Sequence, residues 1–171
     1  MEQLVIETAA TLAGAGAECL VLCANTLHMF AEDAGRASAL PVVHIAEATA
    51  DELQAHQMTR VGLLGTKYTM TQEFYKSKIL DRGIDVLIPD DGDIELINKV
   101  IYHELCLGQS KPESKSEFVR IISDLANRGA QGVILGCTEI GLLVSPDDTA
   151  VPLFDTTFIH ATAAARRALD E

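Results

Sequence analysis

Apolar and polar positions along the chain fall into two registers. Short runs rich in Leu, Ile and Val, apolar at nearly every position, stand at Cys19–Leu22, Val61–Leu64, Val86–Ile88 and Val133–Leu135, with a weaker one at Val151–Phe154. Runs of this length without alternation predict strands buried on both faces, as in parallel sheets. Longer segments with helical spacing separate them: Leu4–Ala13, Ile45–His56, Thr71–Arg82, Ile94–Leu107, Ser116–Arg128 and Thr157–Leu169. Arg82-Gly83, Leu107-Gly108 and Arg128-Gly129 place glycine where a helix end calls for a left-handed residue. Strands alternating with helices predict an α/β fold with parallel sheets, in which ligands sit beyond the C-terminal strand ends.

The pattern also repeats. Gly16-Ala17-Glu18-Cys19-Leu20-Val21-Leu22-Cys23 aligns with Gly129-Ala130-Gln131-Gly132-Val133-Ile134-Leu135-Gly136, 113 positions downstream, and the preceding helices match at Ile6 with Val119 and Leu12 with Leu125. Each copy reads helix, Gly-Ala corner, apolar strand, then a cysteine with a threonine close behind. A Gly-Ala corner is common wherever a helix returns to a parallel strand. A cysteine closing both strands is not, and it predicts two related lobes that each offer a thiol to a shared cleft.

Those thiols are Cys23, in Cys23-Ala24-Asn25-Thr26, and Cys137, in Gly136-Cys137-Thr138-Glu139. A thiol at a strand-to-helix corner meets free backbone N–H groups, which is expected to lower its pKa. Asn25, Thr26 and Thr138 add side-chain donors, making a neutral cradle for a carboxylate. Two such corners face to face suit one reaction above others. Racemisation without a cofactor removes a proton from one face of Cα and returns one to the other, which two groups of similar basicity can do. The other cysteines read differently: Cys19 as a buried filler within a strand, Cys106 as helix packing. His28 reads as a hydrogen-bonding partner near Cys23 or a structural residue, and His160 as a cap or an interlobe hydrogen bond. His44 and His56 show no thiol or carboxylate partner at useful spacing, and His103-Glu104 does not continue into a zinc motif.

Composition narrows the function classes. The chain has 171 residues, 25 acidic against 13 basic, for a net charge of −12. Phosphate binding needs clustered Lys and Arg, so nucleic acid and anionic membranes are not expected partners. No apolar run approaches the roughly 18 residues of a membrane-spanning helix, and Met1-Glu2-Gln3 does not open a secretory leader. Four cysteines with no CxxC pair suggest thiols in a cytoplasmic protein rather than disulfides or a metal finger.

Cys-x-Asn-Thr and Gly-Cys-Thr-Glu, in this order at the ends of repeat-related strands, resemble the aspartate/glutamate racemase family. The resemblance extends through Leu63-Leu64-Gly65-Thr66-x-Tyr68-Thr69, Phe74-Tyr75, Ile88-Pro89-Asp90, Ile101-Tyr102-x-Glu104-Leu105 and Pro152-x-Phe154-Asp155-Thr156-x-x-x-His160-Ala161. It implies two pseudo-symmetric lobes (1–57 with 156–171, and 58–155) and a cofactor-independent amino-acid racemase that requires neither pyridoxal phosphate nor metal. It further implies Cys23 and Cys137 as the two bases, Asn25, Thr26 and Thr138 on the α-carboxylate, and Thr66 lining the cleft. Glu139 would hold the substrate ammonium or orient its neighbours. Glu139 is similar to aspartate and broad-specificity racemases, whereas glutamate racemases carry His there. Cys106-Leu107 stands where aspartate-specific members carry a Lys, so a broader substrate range is expected. The partner is a small amino acid, and a homodimer is left open. Two alternatives stand beside this reading: a related two-thiol enzyme (hydantoin racemase, maleate isomerase or arylmalonate decarboxylase type), or an inactive remnant that binds a small carboxylate. The repeat would place the counterpart of Val61–Leu64 upstream of Met1, so the first lobe is expected to be short of strands and the chain to be an N-terminally shortened member.

Overall fold

Strand β3 (Arg60–Gly65) is the centre around which the larger sheet is built. It pairs with β4 (Asp85–Leu87) on one side and β5 (Val133–Gly136) on the other, and β5 pairs with β6 (Leu153–Asp155), all parallel, giving the order β4-β3-β5-β6. Val61, Leu63, Leu64, Val133 and Ile134 are fully buried, because helices cover both faces of these two strands. A smaller parallel sheet pairs β1 (Leu20–Val21) with β2 (Val42–Val43). The computed structural model describes residues 1–169.

Nine α-helices occupy the described residues: α1 (Glu2–Gly14), α2 (Ala31–Ser38), α3 (Ile45–Ala55), α4 (Lys67–Thr71), α5 (Glu73–Leu80), α6 (Asp91–His103), α7 (Pro112–Asn127), α8 (Ile140–Leu143) and α9 (Thr156–Leu169). The predicted helix over 71–82 is shorter, α5 alone at Glu73–Leu80, because extended Gln72 separates it from Thr71, the last residue of α4. The predicted 94–107 helix ends at His103 and gives way to a 3-10 turn at Leu105–Leu107. The predicted 116–128 helix begins one turn earlier, with Pro112 in the first helical turn, where its missing N–H costs nothing. The segment after Cys23, whose helices the hydrophobic pattern did not resolve, forms a 3-10 turn (Thr26–Phe30) and then α2.

The repeat has a structural counterpart. α1 precedes β1 as α7 precedes β5, and the matched Gly16 and Gly129 both hold positive φ, at 89° and 99°. Both corners therefore use backbone geometry that favours glycine. Cys19 is not inside a strand: it lies just before β1, half-buried, beside the apolar groove between α1 and β1.

Candidate active site

After β3 the chain moves to β4 on one side. After β5 it moves to β6 on the other. The carboxyl ends of β3 and β5 thus flank the point where the winding reverses, the position at which open α/β sheets bind ligands. Gly65 and Gly136 are partners in the ladder there. A Cβ on Gly136 would lie 2.8 Å from the Leu64 carbonyl oxygen, and one on Gly65 would lie 2.9 Å from the Gly136 carbonyl oxygen. Neither residue can carry a side chain without the strands parting. Thr66 and Cys137 are the next residues after this last ladder pair.

Cys137 is buried. Its thiol donates to Glu139 Oε2 at 3.0 Å, and the Thr138 hydroxyl donates to the same oxygen at 2.6 Å. Burial, reinforced by the hydrogen bond to the Glu139 carboxylate, pushes the Cys137 thiol up to about 12. This reverses the expectation of a lowered pKa: α8 is a four-residue helix with little dipole, so desolvation and a facing anion dominate. Burial works to raise the Glu139 carboxyl, but the hydrogen bonds from Thr138 and Cys137 outweigh it and hold the group below its ordinary value. Cys106, expected to pack inside a helix, is exposed on the 3-10 turn, where burial and the charge of Glu139 raise its thiol.

Cys23 is exposed, and its thiol makes only a local contact, 3.8 Å from the Val21 carbonyl oxygen. The residues after it reach across to the larger sheet. Thr26 Oγ1 lies 3.2 Å from Thr66 Oγ1, and Thr66 Oγ1 lies 3.1 Å from Thr69 Oγ1. Asn25 Nδ2 donates to Thr156 Oγ1 at 3.0 Å, and that hydroxyl donates onward to the Leu135 carbonyl oxygen at 2.8 Å. The relay fixes the amide. Thr156 spends its proton on Leu135, so Asn25 must present its NH2 group there, and Asn25 Oδ1 is left buried with no partner. The group of Asn25 left without a partner is therefore an acceptor.

Of the expected site residues, Thr26 and Thr66 share one network, Asn25 belongs to the relay through Thr156, and Cys137, Thr138 and Glu139 form a third. The Asn25 relay reaches β5, the strand that leads into Cys137, through Thr156. Sequence reasoning missed Thr69 and Thr156. Both were visible in part: Thr66 and Thr69 have the spacing of an N-cap and its third helical residue, and Thr66 does accept from the Thr69 amide. Thr156 directly follows a strand that pairs with β5. His160 Nε2 bonds the Val43 carbonyl oxygen, and His56 does have a carboxylate neighbour, Glu52, at 3.6 Å. Among the described residues no helix is long and apolar enough to cross a membrane.

The fold is a parallel α/β sheet whose reversal point lies between the residues described above. The profile of the Asp/Glu/Hydantoin racemase family matches residues 2–164. The broad specificity amino-acid racemase RacX of Bacillus subtilis is 24% identical over 166 residues, covering 92% of this chain and 67% of that protein. A candidate Asp/Glu racemase from Yersinia pestis is 48% identical and superposes with a TM-score of 0.92, over 98% of this chain and 74% of that one. An aspartate racemase homologue from Pyrococcus horikoshii is 37% identical with a TM-score of 0.87, over the same shares. The chain belongs to the Asp/Glu/hydantoin racemase family, and its reaction class is isomerisation.

Proposed function

We propose that this protein is a cofactor-independent amino-acid racemase in which Cys23 and Cys137 exchange the Cα proton from opposite faces. The reading is supported by the hydrogen bonds that tie the segment after Cys23 to the ends of β3 and β5: Thr26 through the Thr66 and Thr69 hydroxyls, and Asn25 through the Thr156–Leu135 relay. Cys137 carries its proton, held by burial and by Glu139, and is the acid. Cys23 as thiolate removes the Cα proton; the carbanion, its charge delocalised into the α-carboxylate, takes the proton of Cys137 on the other face. One S–H forms and one breaks, and the reverse direction restores both.

The orphaned Asn25 Oδ1 suits the substrate ammonium, which is donor-only. The three threonine hydroxyls suit the α-carboxylate, since each can turn its proton toward an oxygen. Thr138 supports Glu139 rather than the carboxylate while its hydroxyl is so engaged. The similarity to a broad-specificity racemase favours a substrate range wider than aspartate and glutamate.

Incubation with a panel of L- and D-amino acids in D2O, followed by NMR, should show loss of the Cα–H signal and appearance of the enantiomer. Cys23→Ser and Cys137→Ser should each lower that rate by at least about 100-fold, the usual scale of a lost acid or base. Near-normal exchange in either variant would sink the two-base reading.

A further inference from the structure

His28 is buried and belongs to none of the three networks, yet both its nitrogens are committed. Nδ1 lies 2.9 Å from the Ala24 carbonyl oxygen, and Nε2 lies 3.1 Å from the backbone nitrogen of Ile45, the first residue of α3. The Ile45 N–H can only donate, so Nε2 must present its lone pair. The Ala24 carbonyl can only accept, so Nδ1 must carry the proton. A single neutral tautomer satisfies both partners. The ring is a strut between α3 and the peptide that joins Cys23 to Asn25.

The surroundings hold that tautomer. His44 and His160 pack edge-on to the ring, with centroids at 4.7 and 5.4 Å. His44 caps α3 by accepting from the Ala46 amide, and His160 reaches the Val43 carbonyl oxygen at 2.7 Å. The charges nearest this group act through His44: Glu47, Lys78 and Glu32. Glu47 and Lys78 are paired with each other at 3.0 Å. No anion therefore stands against His28 to draw a proton onto it, and burial holds its pKa down to about 4.

We propose that His28 is a positioning residue for the racemase centre, fixing the Ala24 peptide so that the Cys23 thiol and Asn25 Oδ1 keep their places. This rests on the two-thiol reading given above. Rotation of the Ala24 peptide would swing both groups together, and displacements near 1 Å at a reacting group cost on the order of 100-fold in rate.

The two halves of the strut can be cut separately. His28→Asn keeps a donor at the Nδ1 position for Ala24 and loses the acceptor for Ile45. His28→Gln keeps an acceptor at the reach of Nε2 and loses the donor for Ala24. Both open a cavity, so both should lower Tm. Hydrogen–deuterium exchange read by mass spectrometry should show lost protection in the 23–30 segment for His28→Gln, and at the start of α3 for His28→Asn. kcat for Cα–H exchange should follow the loop, staying within about threefold of the parent in His28→Asn and falling at least about tenfold in His28→Gln. Equal loss of kcat in both variants, in proportion to Tm, would reduce His28 to a core residue and overturn the proposal. If the parent protein exchanges no amino acid, the racemase reading fails and the positioning role falls with it. Hydrogen exchange then still shows whether the strut forms.

Discussion

Glu139 adds to burial in holding the proton on Cys137. Its carboxylate accepts from both Cys137 and Thr138, so the Cys137 proton sits between a buried sulfur and a fixed anion. Removing the charge while keeping the shape tests this directly. In Glu139→Gln the thiolate no longer faces a carboxylate, so the Cys137 pKa should fall from about 12, with the burial contribution left in place. The measurement is the pH dependence of iodoacetamide labelling at Cys137, read by peptide mass spectrometry. Its midpoint should move to lower pH in the variant, and an unmoved or higher midpoint would show that Glu139 does not set the proton's place. At this scale the sequence was legible as residue identity but not as polarity. Cys-x-Asn-Thr and Cys-Thr-Glu named side chains that take part in hydrogen bonds at the strand ends. Which atom of Asn25 is free, and which way the Cys137 pKa moves, depend on Thr156 and on burial, and neither can be read from local spacing.

At the scale of the element, β3 and β5 come so close at their ends that a Cβ on either glycine would press on the other strand's backbone. Gly136→Ala would press a methyl to 2.8 Å from the Leu64 carbonyl oxygen, and Gly65→Ala to 2.9 Å from that of Gly136. Neither contact is with a flexible side chain that could move aside, so each should destabilise by about 1–3 kcal/mol. Gly14→Ala is the control. It lies at the end of α1 with nothing within 4 Å of its added methyl, and it should be neutral or slightly stabilising. Urea denaturation of the three variants decides the point; a harmless Gly136→Ala would mean the strand ends are looser than described. The long elements were legible because their periodicity is strong: five strands and six helical regions emerge from apolar spacing alone. α2 was not, since Ala31–Ser38 carries a glycine and three charges and no large apolar residue to mark a face. β2 was missed because it is two residues long.

Across the whole molecule, the three buried histidines tie the small sheet, the start of α3 and α9 together, and they make stability depend on pH in a defined direction. His28 titrates near 4 in the folded chain and near 6.5 when unfolded. Between those values the unfolded chain binds more protons, so stability falls as pH drops from about 6.5 toward 4 and levels off below. The His28 contribution is on the order of 3 kcal/mol. His44 is also lowered, chiefly by burial, and acts with the same sign. Two other effects share the pH axis. The carboxylates held below their ordinary values, among them Glu47 and Glu139, lose stabilising charge only below about 4.5, so the upper part of the window belongs to the histidines. The net charge of −12 repels itself less as acid is added, which acts in the opposite direction. Comparison with His28→Asn separates these, because the variant keeps every carboxylate and the same net charge at neutral pH. Urea midpoints measured from pH 7.5 to 5 should fall in the parent, while the variant, less stable at neutral pH, should show a clearly shallower slope carried by His44. Parallel slopes in the two proteins would mean that His28 is not the proton-excluding centre of the cluster.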